Sequence, residues 1–375
     1  MDLSNLDDYA DARPHVERVH DHSLDVFVAD HTPRPGSAVR IATSAQAPVV
    51  ARITGHKQGR VFGAHVLHDL PEWVQPGTPV TLDDAQLALP RPVDGVLDLA
   101  QVDFVPAGPD TLNLSGEPPQ HPVLPQGPLR LGIDALDTLT PFVLGGTHLI
   151  VDASSAYTAL DALGARALDV LEPDHVVALN VDALGQAERW HHVRAPSTTF
   201  GWFYALRGAM AWVEHLREQG GHLVFLAQLP TLGDPSALEV APDPGARGNP
   251  THRDIVEAIG ARVVSTAEGR CTSILHLPLS PLVAQASILM DTLSFGDVDA
   301  QIVVRPDGTY APHYSTSKAS FPPEDPRHLE RKRALRAFEA SLAVADKLAI
   351  FGPDECEPEE LELLELAKQY EGVVL

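Results

Sequence analysis

Short runs of alternating apolar and polar residues fill the chain between positions 38 and 92. Glycine and proline residues separate these runs at short spacing, and this pattern predicts a small antiparallel β-barrel or sandwich. Residues 1 to 37 carry mixed acidic and histidine residues and end in a breaker run. We therefore assign residues 1 to 37 to a poorly ordered N-terminal tail, with a separate edge strand as the alternative.

Continuous apolar runs alternate with helical patterns between positions 93 and 325, which predicts an α/β domain. The runs LIVDA, HVVALNV and HLVFLAQ have the length and composition of buried parallel strands. From position 326 to 375, apolar residues recur at three- and four-residue spacing, as in a bundle of helices. The fold class predicted is therefore multi-domain: an N-terminal β-barrel, a central α/β domain and a C-terminal helical bundle.

The formal charge of −24, from 51 acidic and 27 basic residues, argues against nucleic acid and anionic membrane surfaces as partners. The two cysteines lie far apart, and no histidine pair has a cysteine or carboxylate at ligand spacing, so we expect no metal site. The N-terminus lacks the features of a signal peptide, and no apolar run approaches the roughly 20 residues of a membrane helix. We expect a cytoplasmic protein that reaches a membrane only through a complex.

Two segments carry the most specific motifs of the chain. LGIDALDTLTPF, at 131–142, is followed by Gly145 and the strand LIVDA. It resembles the entry to the nucleotide-binding domain of the α and β subunits of F-type and V-type rotary ATPases, where a Gly-Ile-x-Ala-Ile-Asp-x-Leu-x-Pro-Ile run precedes the phosphate loop. EHLREQGGHLVFL, at 214–226, is similar to the helix end and Walker B strand of the same family.

Two further segments match the family in the same order. GRCTSI, YAP and STSK, at 269–274, 310–312 and 315–318, are similar to its Gly-Ser-Ile-Thr-Ser, Tyr-Pro-Ala and Ser-x-Ser-Arg segments. LAIFGPDE, at 348–355, resembles the lever of the catalytic subunit. The resemblance covers residues from about 40 to 375, and it implies that the central domain is a RecA-like P-loop NTPase domain.

The phosphate loop of the family is changed in this chain. Such a loop needs glycines, a lysine for the β and γ phosphates, and a serine or threonine for magnesium. By the resemblance, Tyr157 occupies the lysine position and only Thr158 is retained. The loss of the lysine removes a charge-assisted bond of roughly 1.5–3 kcal/mol. The degenerate loop comprises Val151, Asp152, Ala153, Ser154, Ser155, Ala156, Tyr157 and Thr158.

Two more positions of the pocket differ from the family. Gln228 stands where the Walker B strand should end in a magnesium-orienting Asp, and Asp182 falls near the position of the catalytic Glu. We therefore expect no cofactor in this chain's own site, and we expect that the chain is not itself an enzyme. Mg-ATP would lie at an interface with a catalytic partner.

Lys318 ends the STSK segment. In the family, the Arg at this position reaches into the neighbouring subunit and stabilises charge on the transferred phosphate. The resemblance thus implies that Lys318 is a trans-acting finger, although a lysine lacks the planar fork of arginine. A solvated surface lysine is the alternative.

These features favour a non-catalytic, pseudo-ATPase ring subunit that alternates with a catalytic ATP-hydrolysing paralogue in a hetero-hexameric ring. The acidic turn from Asp354 to Glu360 would contact a central stalk, or it is simply a solvated helix start. An alternative function is an oligomeric scaffold or adaptor that derives from the ATPase fold and has no nucleotide role. In a third hypothesis the altered pocket holds a different ligand.

Overall fold

The chain is described by a computed structural model over residues 13–20, 23–29, 31–42, 48–92, 94–114, 116–181, 188–195, 199–231, 252–280, 283, 298–352 and 355–375. Its contacts divide it into two compact units. The first comprises Met1–Gly116, His191–Trp212 and Leu238–Thr251, and the second Glu117–Trp190, Val213–Ala237 and His252–Leu375.

The strands are β1 (His15–Val19), β2 (Ser23–Phe27), β3 (Ser37–Ile41), β4 (Val49–Gln58), β5 (Val61–His65), β6 (Val80–Pro90), β7 (Val96–Asp98), β8 (Val105–Pro106), β9 (Thr111–Leu112), β10 (Gln126–Pro128), β11 (Val143–Leu144), β12 (Thr147–Asp152), β13 (His175–Leu179), β14 (Trp190–Arg194), β15 (Gly221–Gln228), β16 (Gly269–Pro278), β17 (Ala300–Val304) and β18 (Thr316–Ser317). The helices are α1 (Asp134–Leu139), α2 (Ala159–Leu171), α3 (Thr199–Glu218), α4 (His252–Arg262), α5 (Pro326–Phe351) and α6 (Pro358–Lys368).

The first unit is built on an antiparallel sheet in the order β1-β2-β5-β4-β3-β6. Backbone hydrogen bonds join the two ends of this sheet: Val16 donates to Thr78 over 2.9 Å and Val80 to Pro14 over 3.1 Å. Alternate apolar residues of the strands point inward and are buried together. The predicted N-terminal barrel is confirmed, and β8 and β9 extend the pairing of β6 beyond position 92.

The assignment of residues 15 to 27 to a tail is corrected by strands β1 and β2. Strand β1 pairs with β2, and β2 pairs with β5 through the whole of its length. Val16, Leu24 and Val26 are fully buried, whereas Glu17 and Arg18 face outward. The charged residues that suggested a tail thus lie on the outer face of strand β1, which is only five residues long. In so short a run, the alternation of apolar and polar residues is too brief to indicate a strand.

The second unit holds a sheet in the order β18-β17-β12-β16-β15-β13. Its pairs are parallel except for β18, which runs antiparallel to β17. One apolar core of this unit gathers residues from β12, β13, β15, β16 and β17 and from α1, α2, α5 and α6. The predicted α/β domain and C-terminal helices are confirmed. Among the residues described, no helix is long and apolar enough to cross a membrane.

Strand β12 is buried at every position, including its polar residues. His148 is enclosed completely, and both of its ring nitrogens are occupied: Nε2 accepts from the Val143 amide over 2.8 Å, and Nδ1 donates to the Ser273 carbonyl over 2.9 Å. This arrangement needs a neutral imidazole. Burial lowers the pKa of His148 from 6.5 to about 4, although the two hydrogen bonds act in the opposite direction.

We predict that His148 makes the second unit acid-sensitive. In the unfolded chain His148 binds a proton near pH 6.5, whereas in the folded chain it does so only near pH 4. The free energy of unfolding therefore falls as the pH decreases through this window, by up to ~3 kcal/mol. His148→Gln removes this titration and should flatten the pH dependence of the urea midpoint between pH 7 and about 4.5. His121→Gln, at an exposed position, is the control. Equal pH dependence in His148→Gln and the wild-type chain would contradict the assignment.

Candidate active site

The carboxyl ends of the parallel strands β12, β13, β15, β16 and β17 meet at one edge of the sheet in the second unit. In open α/β sheets this edge is where ligands bind. The loop 153–158 leaves β12 at this edge and enters α2, while Gln228 ends β15. Gln228 lies opposite His276, and His276 lies opposite Ile150 in the next strand. The predicted site residues Val151 to Thr158 and Gln228 therefore share this edge, and Asp182 lies outside the described residues.

A buried, hydrogen-bonded pair of side chains, Asp152 and His276, lies at the start of the loop. Asp152, the last residue of β12, is fully buried and accepts a hydrogen bond from His276 Nε2 over 3.1 Å. Its other carboxylate oxygen accepts from the Ser154 amide over 2.8 Å. Burial alone would raise the pKa of the Asp152 carboxyl, but the hydrogen bonds from His276 and Ser154 outweigh burial and hold it below its usual value. Asp152 is thus a buried carboxylate with its own partners.

Tyr157 closes the other end of the loop. Its backbone is left-handed, with φ of 50°, and its amide donates to Ser154 Oγ over 3.3 Å. The phenol donates to the Leu279 carbonyl over 2.9 Å, and the ring lies edge-on to the His276 ring with centroids 6.3 Å apart. The side chain that stands at the lysine position of the family therefore bonds to the end of strand β16.

The remaining loop residues divide between the core and the surface. Val151 is a strand residue, paired with Leu277 and Val303, and it does not belong to the turn. Thr158 is exposed and caps α2 without a side-chain hydrogen bond. Gln228 is also exposed, two strands from Asp152, which corresponds to roughly 10 Å. The exposed part of the loop consists of Ser155, Ala156 and Thr158.

Lys318 lies near the amino ends of the parallel strands, away from the edge described above. It comes directly after the edge strand β18. Its backbone amide donates to the Asp299 carbonyl over 2.7 Å. The guanidinium of Arg331 donates to the Ser317 carbonyl over 2.9 Å and to the Ala319 carbonyl. The backbone is therefore held on both sides of Lys318, whereas its side chain is exposed.

Sequence reasoning did not identify His276, Leu279 or Arg331. His276 did leave a signal, because it is the one polar side chain in the apolar run ILHLPL at 274–279. A histidine in a strand that is buried on both faces requires a partner, and Asp152 is that partner. Arg331 left none, since it lies among several other basic residues of α5.

Residues of the family-like motifs also hold the fold together away from this edge. Glu214 forms a bidentate ion pair with Arg262, at 2.8 and 2.9 Å. Thr272 Oγ1 accepts from the Gly145 amide over 3.0 Å. The hydroxyl groups of Thr140 and Tyr310, which are 170 positions apart in sequence, form a hydrogen bond of 2.6 Å. Segments that the resemblance identified separately thus meet in space as structural contacts.

We predict that the Asp152–His276 pair supports the fold of the second unit. Asp152→Ala leaves His276 buried without its acceptor, and such a loss costs about 1–3 kcal/mol in the free energy of unfolding. Ser155→Ala, on the exposed part of the same loop, should change stability by less than about 0.5 kcal/mol. Urea denaturation measures both. If His276→Ala and Asp152→Ala prove additive in the double variant, the pair is not coupled and the prediction is wrong.

The comparisons with known proteins give a structural match. No family model matches the chain, and no curated protein does so. Among solved structures, the chain is similar to the assembled ATPase EscN from the type III secretion system of enteropathogenic E. coli. The TM-score is 0.68 at 14% sequence identity, over 95% of each chain. The rotary-ATPase-like fold that the motifs indicated is therefore supported over nearly the whole chain.

This similarity corrects one expectation. We expected that the chain is not itself an enzyme, because its loop lacks the phosphate-binding residues of the family. The solved structure that it resembles from end to end is an ATPase, so the expectation is contradicted. The chain has the fold of the ATPase EscN.

Proposed function

We propose that the chain is a ring subunit of an ATPase complex and takes part in ATP hydrolysis at an interface with a related neighbouring chain. In this proposal Lys318 reaches the Mg-ATP held at that interface and stabilises charge on the transferred phosphate. The observation that carries the proposal is the position of Lys318, an exposed cation on a fixed backbone at the edge of an ATPase-like sheet.

The contacts around Lys318 suit a residue that acts across an interface. A group that serves a neighbouring site must be held in place by its own chain, because a small displacement weakens its effect. Arg331 fixes the carbonyl groups before and after Lys318, and Ser317 Oγ donates to the Pro141 carbonyl over 2.8 Å. Only the side chain of Lys318 is left to extend outward.

The loop 153–158 suggests how the work is divided in the ring. The Ser154 and Tyr157 amides, which a phosphate loop would turn toward the phosphates, donate to Asp152 and Ser154. We therefore assign the phosphate-binding lysine and the magnesium carboxylate to the neighbouring chain, a paralogue with an intact phosphate loop. In this division of work neither Asp182 nor Gln228 needs a role in binding magnesium.

The acidic turn before α6 is the surface that we propose for a central stalk. Glu360 is already bound within the chain, to the Glu357 amide over 2.8 Å and to Lys347 over 2.6 Å. Glu355 and Glu357 are exposed and available to a basic partner, and Asp354 lies outside the described residues. Through such a complex the protein would lie at the periphery of a membrane.

We predict that Lys318→Ala slows ATP turnover of the reconstituted complex at least about tenfold while the assembly keeps its mass. Lys318→Arg should retain or raise the rate, because arginine keeps the charge and adds a bidentate fork. Lys368→Ala is the matched control, since it removes a surface lysine whose partner Glu365 is on its own helix. Unchanged turnover of Lys318→Ala in an intact assembly would remove Lys318 from the mechanism.

A further inference from the structure

Helix α5 carries an exposed basic stripe in its first half. Five of the 27 Lys and Arg residues of the chain lie within the ten positions 327–336, although the chain as a whole has a charge of −24. Lys332 and Arg333 are neighbours in sequence, three and four positions after Leu329, and Arg336 follows them by four and three positions, so all four residues share one helix face. All four are exposed. We call this set the basic stripe.

The basic stripe is not accounted for by the fold or by the proposed ATP site. The buried face of the same helix comprises Ala334, Ala337 and Phe338, which belong to the core of the second unit. Within the described parts of the chain, no ion pair involves the three cations of the stripe. Leu329, on the same helix face, is 69% exposed. The basic stripe therefore combines one exposed apolar side chain with three cations.

Helix α6 presents the complementary charge. Glu359 and Glu362 lie three positions apart on α6, Glu355 lies in the turn before the helix, and all three are exposed. We call this set the acidic stripe. The three carboxylates likewise form no ion pair within the described residues, in contrast to Glu360 and Glu365, which pair with lysines of this chain.

We propose that two copies of this chain associate through these helices, the basic stripe of each copy against the acidic stripe of the other. Each copy contributes one stripe of each sign, so a two-fold arrangement satisfies both stripes at once and closes the contact. The inference goes beyond the proposed function. Lys318 belongs to neither stripe, but the acidic stripe begins at Glu355 in the turn proposed for a central stalk, so a second copy and a stalk cannot contact this turn at the same time.

A second copy fits the basic stripe better than a membrane or a nucleic acid does. Either of those anionic surfaces would contact only the cations, whereas a second copy also presents cations to the acidic stripe, so both stripes gain partners. A second copy is just as acidic overall, but direct contact sets three cations against three carboxylates at short range. The contact should therefore be salt-sensitive and strongest at low ionic strength.

Charge reversal with complementary rescue tests the proposal. The purified full-length chain is examined by sedimentation velocity at about 0.05 M and about 1 M salt. We expect dimers at the lower concentration and their loss at the higher one. The triple variant Lys332→Glu, Arg333→Glu, Arg336→Glu should dimerise at least about tenfold more weakly, and so should Glu355→Lys, Glu359→Lys, Glu362→Lys. An equimolar mixture of the two variants should restore a dimer that contains one of each.

A matched control separates local contact from net charge. Arg18→Glu, Arg34→Glu, Arg60→Glu changes the charge by the same amount at exposed positions of the first unit, and it should dimerise like the wild-type chain. Circular dichroism establishes that each variant is folded. A monomeric wild-type chain at low salt, a dimer that survives both reversals, or a mixture that stays monomeric would each overturn the proposal, whatever the ATPase assay of Lys318→Ala shows.

Discussion

The burial of strand β12 on both faces is the constraint on which the second unit depends. A parallel strand that is buried on both faces is stabilised by apolar side chains, yet β12 contains the polar residues Thr147, His148 and Asp152. Each polar group must therefore find a partner inside the protein. The Thr147 amide donates to Asp299, His148 joins Val143 to Ser273, and Asp152 binds His276. These partners lie next to β12 in the fold and fix its neighbours in register.

The same constraint shapes the edge at which β12 ends. Because Asp152 is paired with His276 and the Ser154 amide, the loop that follows is closed by its own polar groups. Tyr157 completes this closure through the Leu279 carbonyl. On the other side of the sheet, Asp299 binds the start of β12 through its side chain and the Lys318 amide through its backbone. The loop and the proposed interface lysine are thus attached to the two ends of one strand.

The sequence was informative where a long pattern or an ordered set of motifs was present. The buried runs of β12, β13 and β15, the two C-terminal helices and the order of domains follow from periodicity. Thr140 and Tyr310, which belong to two of the family-like motifs, form a hydrogen bond that the motifs themselves did not predict. Strands β1 and β2 escaped because each has only five residues and β1 carries charges on its outer face. His276 and Arg331 escaped because their roles arise from residues more than ten positions away, which no local pattern reveals.

The inference that the altered loop excludes enzyme activity failed for a different reason. It was drawn from residue types in one loop of one chain, whereas the fold is that of the ATPase EscN, and in the proposed ring a neighbouring chain would complete each site. Whether a second chain completes the site is therefore the central question. Native mass spectrometry of the protein isolated from its source addresses it directly. The account predicts a hexameric mass with two alternating chains and bound nucleotide; a monomer, or a homo-oligomer without nucleotide, would contradict it.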